Sequence, residues 1–131
     1  MIVLDTQVWL WWLHDPSKLS ARARQAVVQA ERGDGMTVSA ISVWEVATKC
    51  ALGKLVRPMQ VEASFALARS YRGLILEPVT AEDALASTCL PGEFHKDPAD
   101  RLIVALARRL QVPLITADGL IRAYPHVDSV W

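Results

Sequence analysis

Four carboxylates of this chain stand where a sheet could gather them: Asp5, Glu45, Asp100 and Asp118. Asp5 closes the apolar run Ile2-Val3-Leu4, and Asp118 follows the run Val112 to Ile115. Glu45 comes early in a helix pattern after a second apolar run, Met36-Thr37-Val38. Carboxylates brought together without a cation repel and raise one another's pKa values. An oxygen-only cluster therefore suits Mg²⁺ or Mn²⁺, which take octahedral oxygen coordination and retain several waters. Each acid also has a purely local reading. Asp5 can cap a helix, Asp97 and Asp100 suit a helix start and its dipole, and Asp118-Gly119 makes a turn. Glu45 can be the distal half of a capping box with Ser42.

The elements that must position these acids are legible. Asp97-Pro98 reads as an N-cap followed by proline at the first helical position, with Asp100 at the third. Ile103, Leu106 and Leu110 then form an apolar helix face, and Val112 to Ile115 a short buried strand. Ile2–Leu4 reads as a central strand, followed by a helix that carries Trp9, Trp11 and Trp12 to about residue 13. These indoles are expected as core and contact surface, because each ring carries a large apolar area. Further helices are predicted over 20–32, from Ser39 towards Gly53, over 60–71 and over 80–90, with strands at 36–38, 74–76 and 127–130. A short helix is expected near 119–123. Short strands alternating with helices predict an α/β fold: three layers around a mainly parallel sheet, in one domain spanning 1–131. In such a sheet the loops at the carboxyl ends of the strands line one crevice. Asp5 and Asp118 share that edge, and Glu45 reaches it if its helix begins near Ser39. Asp100 is the outlier, expected at the opposite edge unless its helix starts high or bends.

Composition bounds the function more loosely. Lys+Arg and Asp+Glu both number 14, so any nucleic-acid site must be a local basic patch. Cys50 and Cys89 form neither a CxxC nor a zinc spacing and read as buried, reduced thiols. No apolar run reaches the ~18 residues of a membrane span, and Val8 to Leu13 lacks the cationic flank of a signal peptide. A cytoplasmic location is expected.

The segments LDTQVWLWWL, SAISVWEVATKCALGKL and KDPADRLIVALA…PLITAD, in this order and at this length, resemble a PIN-domain ribonuclease. Within that superfamily the chain is similar to the VapC-type toxins of toxin–antitoxin pairs. The resemblance covers almost the whole chain and implies a PIN-like fold with Asp5, Glu45, Asp100 and Asp118 as catalytic and metal-holding residues. Asp97 is then a nearby supporting acid, and Thr6 and Thr116 are hydroxyl residues accompanying the first and last acids. One departure is Gln7, where close relatives often carry His; it bears on the substrate side rather than the metal site.

The resemblance further implies Mg²⁺- or Mn²⁺-dependent hydrolysis of RNA, in which the ion acidifies the attacking water and offsets charge on the phosphate. It also implies a homodimer and a small VapB-like antitoxin that reaches the active site, with the Trp-rich first helix and the Trp44 helix as its apolar contacts. RNA needs cations around an acidic pocket. Lys49, Lys96 and Arg101 are the leading candidates, with Lys54, Arg57, Arg108 and Arg109 beyond them. His14, His95 and His126 are scattered and read as surface or loop residues. A receiver-type phosphoacceptor domain would want paired early acids and a late Lys, and a haloacid-dehalogenase-like phosphatase a second Asp at position 7. Neither pattern is present. A catalytically silent PIN module would be expected to have lost an acid, and all four are here.

Overall fold

The computed structural model describes residues 1–53 and 61–131. Lys54 and Arg57 lie outside the described residues. The chain runs β1 (Ile2–Leu4), α1 (Thr6–His14), a 3₁₀ turn (Pro16–Lys18), α2 (Ala21–Arg32), β2 (Met36–Ser39) and α3 (Ala40–Ala51). It continues through α4 (Val61–Ser70), β3 (Leu74–Glu77), α5 (Ala81–Thr88), α6 (Pro98–Leu110), β4 (Leu114–Ile115), α7 (Gly119–Ala123) and β5 (Ser129–Val130).

The strands form one sheet in the order β3-β2-β1-β4-β5, with every neighbouring pair parallel. β1 lies at its centre, and its side chains alternate between two cores. Leu4 joins Val8, Trp9, Val27, Met36 and Val38 on the face covered by α1 and α2. Val3 joins Ile103, Val104, Leu106, Leu114 and Ile121 on the α6 and α7 face. A strand buried on both faces must be apolar throughout, which is why Ile2-Val3-Leu4 shows no polar alternation.

Asp5 and Asp97 cap their helices through the side chain, as their positions predicted, and Ser20, Thr80 and Asp118 do the same; Asp118, expected to make a turn, is the N-cap of α7. α3 differs. Its cap is Ser39, whose hydroxyl accepts from Ile41 N at 3.2 Å, while Ser42 is fully buried and accepts a hydrogen bond from Thr6. The capping-box reading of Glu45 with Ser42 therefore falls away. β4 is shorter than Val112–Ile115 because Gln111 turns left-handed, at φ 56°, and Val112 N–H bonds back to Ala107 O. Val112 and Pro113, expected in the strand, instead form the connection that closes α6.

α6 also corrects the expectation for Asp100. Its 13 residues end just before β4 begins. The helix is about 20 Å long, so its first turn lies far from the edge where β4 starts. A helix returning antiparallel to the strands starts at their carboxyl edge, and no bend is needed.

Trp9 is buried in the core, whereas Trp11 packs against Trp131 and Trp12 against Tyr71, with ring centroids 5.6 Å and 4.8 Å apart. Both cysteines are free thiols, but neither is buried as expected: Cys50 is half-buried and Cys89, at the end of α5, is exposed. Among the described residues no helix is long and apolar enough to cross a membrane.

Candidate active site

At the carboxyl edge of the sheet, Asp5, Glu45, Asp100 and Asp118 line one cavity of about 420 Å³, together with Asp97, Thr6, Gln7 and Lys49. Asp5 is the most rigidly held. It caps α1, one oxygen accepting Val8 N–H at 2.8 Å, while the other accepts the hydroxyl proton of the buried Thr116. Thr116 in turn accepts Asp118 N–H at 3.0 Å, tying the ends of β1 and β4 together. Asp118 caps α7 through a single oxygen, Oδ1, which takes both Leu120 N–H and Ile121 N–H. Asp97 Oδ1 accepts Asp100 N–H at 3.0 Å and so fixes the first turn of α6. Glu45 points from α3 with Lys49 3.5 Å away, one turn later. Thr6 does not bond an acid; its hydroxyl donates to Ser42 Oγ at 2.8 Å and pins α1 to α3 beneath the cavity.

The acids are strained electrostatically. Burial pushes the Asp5 carboxyl up to about 6, against the hydrogen bonds from Thr116 and Val8 and with added repulsion from Asp118 and Glu45. Asp100 rises to about 7, first from burial and then from Asp97, Asp118, Glu45 and Asp5. Lys49 is the one Lys or Arg on the cavity wall among the described residues. Negative charge gathered on oxygen donors with so little compensation fits a hard divalent cation. Among the described residues no three His, Cys, Asp or Glu side chains form a ready-made ion cage. Mg²⁺ keeps several waters and needs only one or two direct carboxylates, so an open acidic cavity suits it better than a closed cage would.

Comparison with known proteins decides the family. The PIN domain model matches residues 2–127. The chain belongs to the PIN-domain family. It is 35% identical over 130 residues to Ribonuclease VapC22 of Mycobacterium tuberculosis, covering 98% of this chain and 95% of that protein. In fold this PIN domain is similar to the VapBC2 complex of Rickettsia felis bound to a promoter DNA fragment, at TM-score 0.71 and 16% identity. That match covers 98% of this chain and 97% of the other. It is also similar to VapC20 of Mycobacterium tuberculosis, a toxin that cleaves the sarcin–ricin loop, at TM-score 0.65 and 18% identity. There the coverage is 98% of this chain and 99% of that one.

The cations expected around the PIN cavity mostly serve the fold. Arg101 turns away from it: Nε donates to Ser87 O at 2.6 Å, and Nη1 to Phe94 O and His95 O at 3.0 and 3.1 Å. Arg109 grips Asp83 with two bonds, of 2.7 and 3.0 Å, and Glu77 with one of 3.1 Å. Arg108 donates to His126 O. Guanidinium groups engaged in this way hold the fold together, and the cations nearest the acids are Lys96, exposed next to Asp97, and Lys49, which pairs with Glu45.

Two contacts carry no signal in the sequence. Ser42, a candidate capping partner of Glu45, shows no sign there that it meets Thr6, 36 positions earlier. His95, read as a loop residue, does lie in a loop, but its Nε2 sits 3.0 Å from Asp100 Oδ2.

Proposed function

We propose that this PIN domain is a divalent-cation-dependent endoribonuclease, acting as the toxin of a toxin–antitoxin pair. The observation that carries the reading is the cavity itself, where four carboxylates from separate elements meet and two of them are held far above their ordinary range. The full-length similarity to a ribonuclease supports it. Asp5, Glu45 and Asp100 would hold the ion, and Asp118 would complete the site. A bound Mg²⁺ or Mn²⁺ supplies Lewis acidity for the attacking water and positive charge opposite the scissile phosphate.

The chain's own residues prepare that chemistry. Thr116 and Val8 N–H hold Asp5 in one orientation, so the carboxylate needs no reorganisation during reaction. Asp97 fixes the backbone that carries Asp100. Lys49 and Lys96 would meet phosphates entering the cavity, as screened, sequence-independent contacts.

A VapB-like antitoxin has a surface to occupy. Trp44, 60% exposed, stands between two apolar grooves. One, of about 490 Å³, is lined by Ile41, Leu52, Pro98 and Ala99 and shares Glu45, Lys49 and Asp97 with the acidic cavity. The other, of about 620 Å³, runs over Val43, Phe65 and Leu76. An antitoxin segment anchored on Trp44 would reach the acids directly. Trp11 and Trp12, packed within the chain, fit this role less well.

The test is cleavage of total RNA with Mg²⁺, with Mn²⁺ and with EDTA, alongside Asp5→Asn and Asp100→Asn. Cleavage is expected only with a divalent ion and an intact acid set. Cleavage that persists in EDTA or in either variant would refute the mechanism.

A further inference from the structure

Between Leu90 and Asp97 the chain has no regular structure, yet it is tied at Pro91, Phe94 and His95. Tyr124 Oη donates to Pro91 O. The Phe94 ring packs on Tyr124 at 4.7 Å and edge-on to the His95 imidazole at 4.4 Å. Arg101, from the first turns of α6, donates to both the Phe94 and His95 carbonyls. These contacts determine where one side chain goes. His95 Nε2 is fully buried with no well-aligned hydrogen-bond partner, and Asp100 Oδ2 is 3.0 Å away. A buried donor left unpaired is destabilising by roughly 1–3 kcal/mol. The distance is already that of a hydrogen bond, and only the alignment is missing. The Asp100 carboxylate turns about Cβ–Cγ, a soft torsion, so its oxygens are able to adjust toward Nε2.

We infer that His95 is the positioning residue of the acidic site: Nε2–H anchors one oxygen of Asp100 and directs the other to the divalent cation. His95 does not line the acidic cavity, so it would support Asp100 from behind without touching substrate. Carboxylates that ligate metals are themselves hydrogen-bonded, and loss of such a partner lowers metal affinity about 10–100-fold. This inference rests on the proposed divalent site.

The test compares Mn²⁺ binding by calorimetry in the wild-type protein, His95→Gln and His95→Phe. Gln keeps a side-chain N–H donor, and Phe keeps a ring without one. His95→Phe is expected to bind Mn²⁺ at least ~10-fold more weakly, with His95→Gln recovering most of the loss. In RNA cleavage the Phe variant should need correspondingly more Mn²⁺ while its KM for RNA holds, because no substrate contact is removed. Wild-type Mn²⁺ affinity in a folded His95→Phe protein overturns the inference, as does an equal loss in Gln and Phe. A wild-type protein that binds no Mn²⁺ refutes the divalent site itself, a different outcome from either.

Discussion

Asp100→Asn should make the metal-free protein more stable at neutral pH while abolishing its activity. The Asp100 carboxyl is raised from an ordinary 3.8 to about 7, by burial first and by four neighbouring acids after it. Its proton is therefore bound more tightly in the folded chain than in the unfolded one. The stabilisation from that proton is complete below the unfolded value and is lost as pH rises through the folded one. A difference of about three units at ~1.4 kcal/mol each sets an upper bound near 4 kcal/mol at pH 8. The side chain retains 21% exposure, and solvent screening brings the expected effect to about 1–2 kcal/mol. Asparagine has nearly the same shape and is never charged, so it escapes this penalty.

In EDTA at pH 8, Asp100→Asn should melt roughly 3–8 °C above wild type. The gain should shrink to about a third at pH 5, inside the 3.8-to-7 window, and vanish below it. Mn²⁺ should invert the order, since an ion that binds the folded state stabilises only the protein able to hold it. Calorimetry at the two pH values, with and without Mn²⁺, gives all four readings. An Asn variant that melts at or below wild type in EDTA at pH 8 would refute the electrostatic account of this cavity, as would a shift independent of pH.

Thr116→Val removes the hydroxyl shared by Asp5 and Asp118 N–H. It should lower stability by about 2 kcal/mol and move the acid limb of the cleavage–pH profile upward, because that bond holds the Asp5 carboxyl down. Thermal melts and cleavage rates from pH 5 to 8 check both. Arg109→Met leaves the buried Asp83 without its partner and should be destabilising by about 2 kcal/mol. RNA affinity should keep its salt dependence in that variant but lose slope in Lys96→Met, as filter binding at several salt concentrations would show. Trp44→Ala should weaken antitoxin binding by about 30-fold or more, the scale of a buried aromatic anchor, while the free protein still cleaves RNA. Surface plasmon resonance against the antitoxin and an RNA assay separate the two effects.

The sheet was legible because its signals are local. Short apolar runs such as Ile2-Val3-Leu4, closed by a capping or turn residue, fit strands buried on both faces, and caps such as Asp5 and Asp97 follow from backbone groups that must be satisfied. The misreadings lie where two distant segments compete for one group. Ser42 is a credible cap until Thr6 arrives across the core. Arg101, Arg108 and Arg109 look like phosphate ligands until carbonyls and acids from other elements claim them. The topological argument against Asp100 fails for a different reason: α6 ends just before β4 begins and returns antiparallel to the strands, so its first turn lies at their carboxyl edge.

Capping a helix and facing the acidic cavity are compatible roles for these acids. Helices that return antiparallel to parallel strands begin at the carboxyl edge, so that edge collects exposed N–H groups and the acids that cap them. Asp118 caps with Oδ1 alone, and Asp97 likewise with one oxygen, which leaves the second oxygen of each for the cavity. Asp5 is the exception, with both oxygens engaged, one by Val8 N–H and one by Thr116. Each carboxylate oxygen still has a second lone pair, and Thr116 sets which way Asp5 offers it. Asp100 caps nothing, and its carboxyl, at about 7, is raised further than that of Asp5, at about 6. Val8 N–H and the Thr116 hydroxyl stabilise the charge on Asp5, whereas burial and four neighbouring acids act on Asp100. Of the two, Asp100 depends more on a cation, and on the His95 nitrogen behind it.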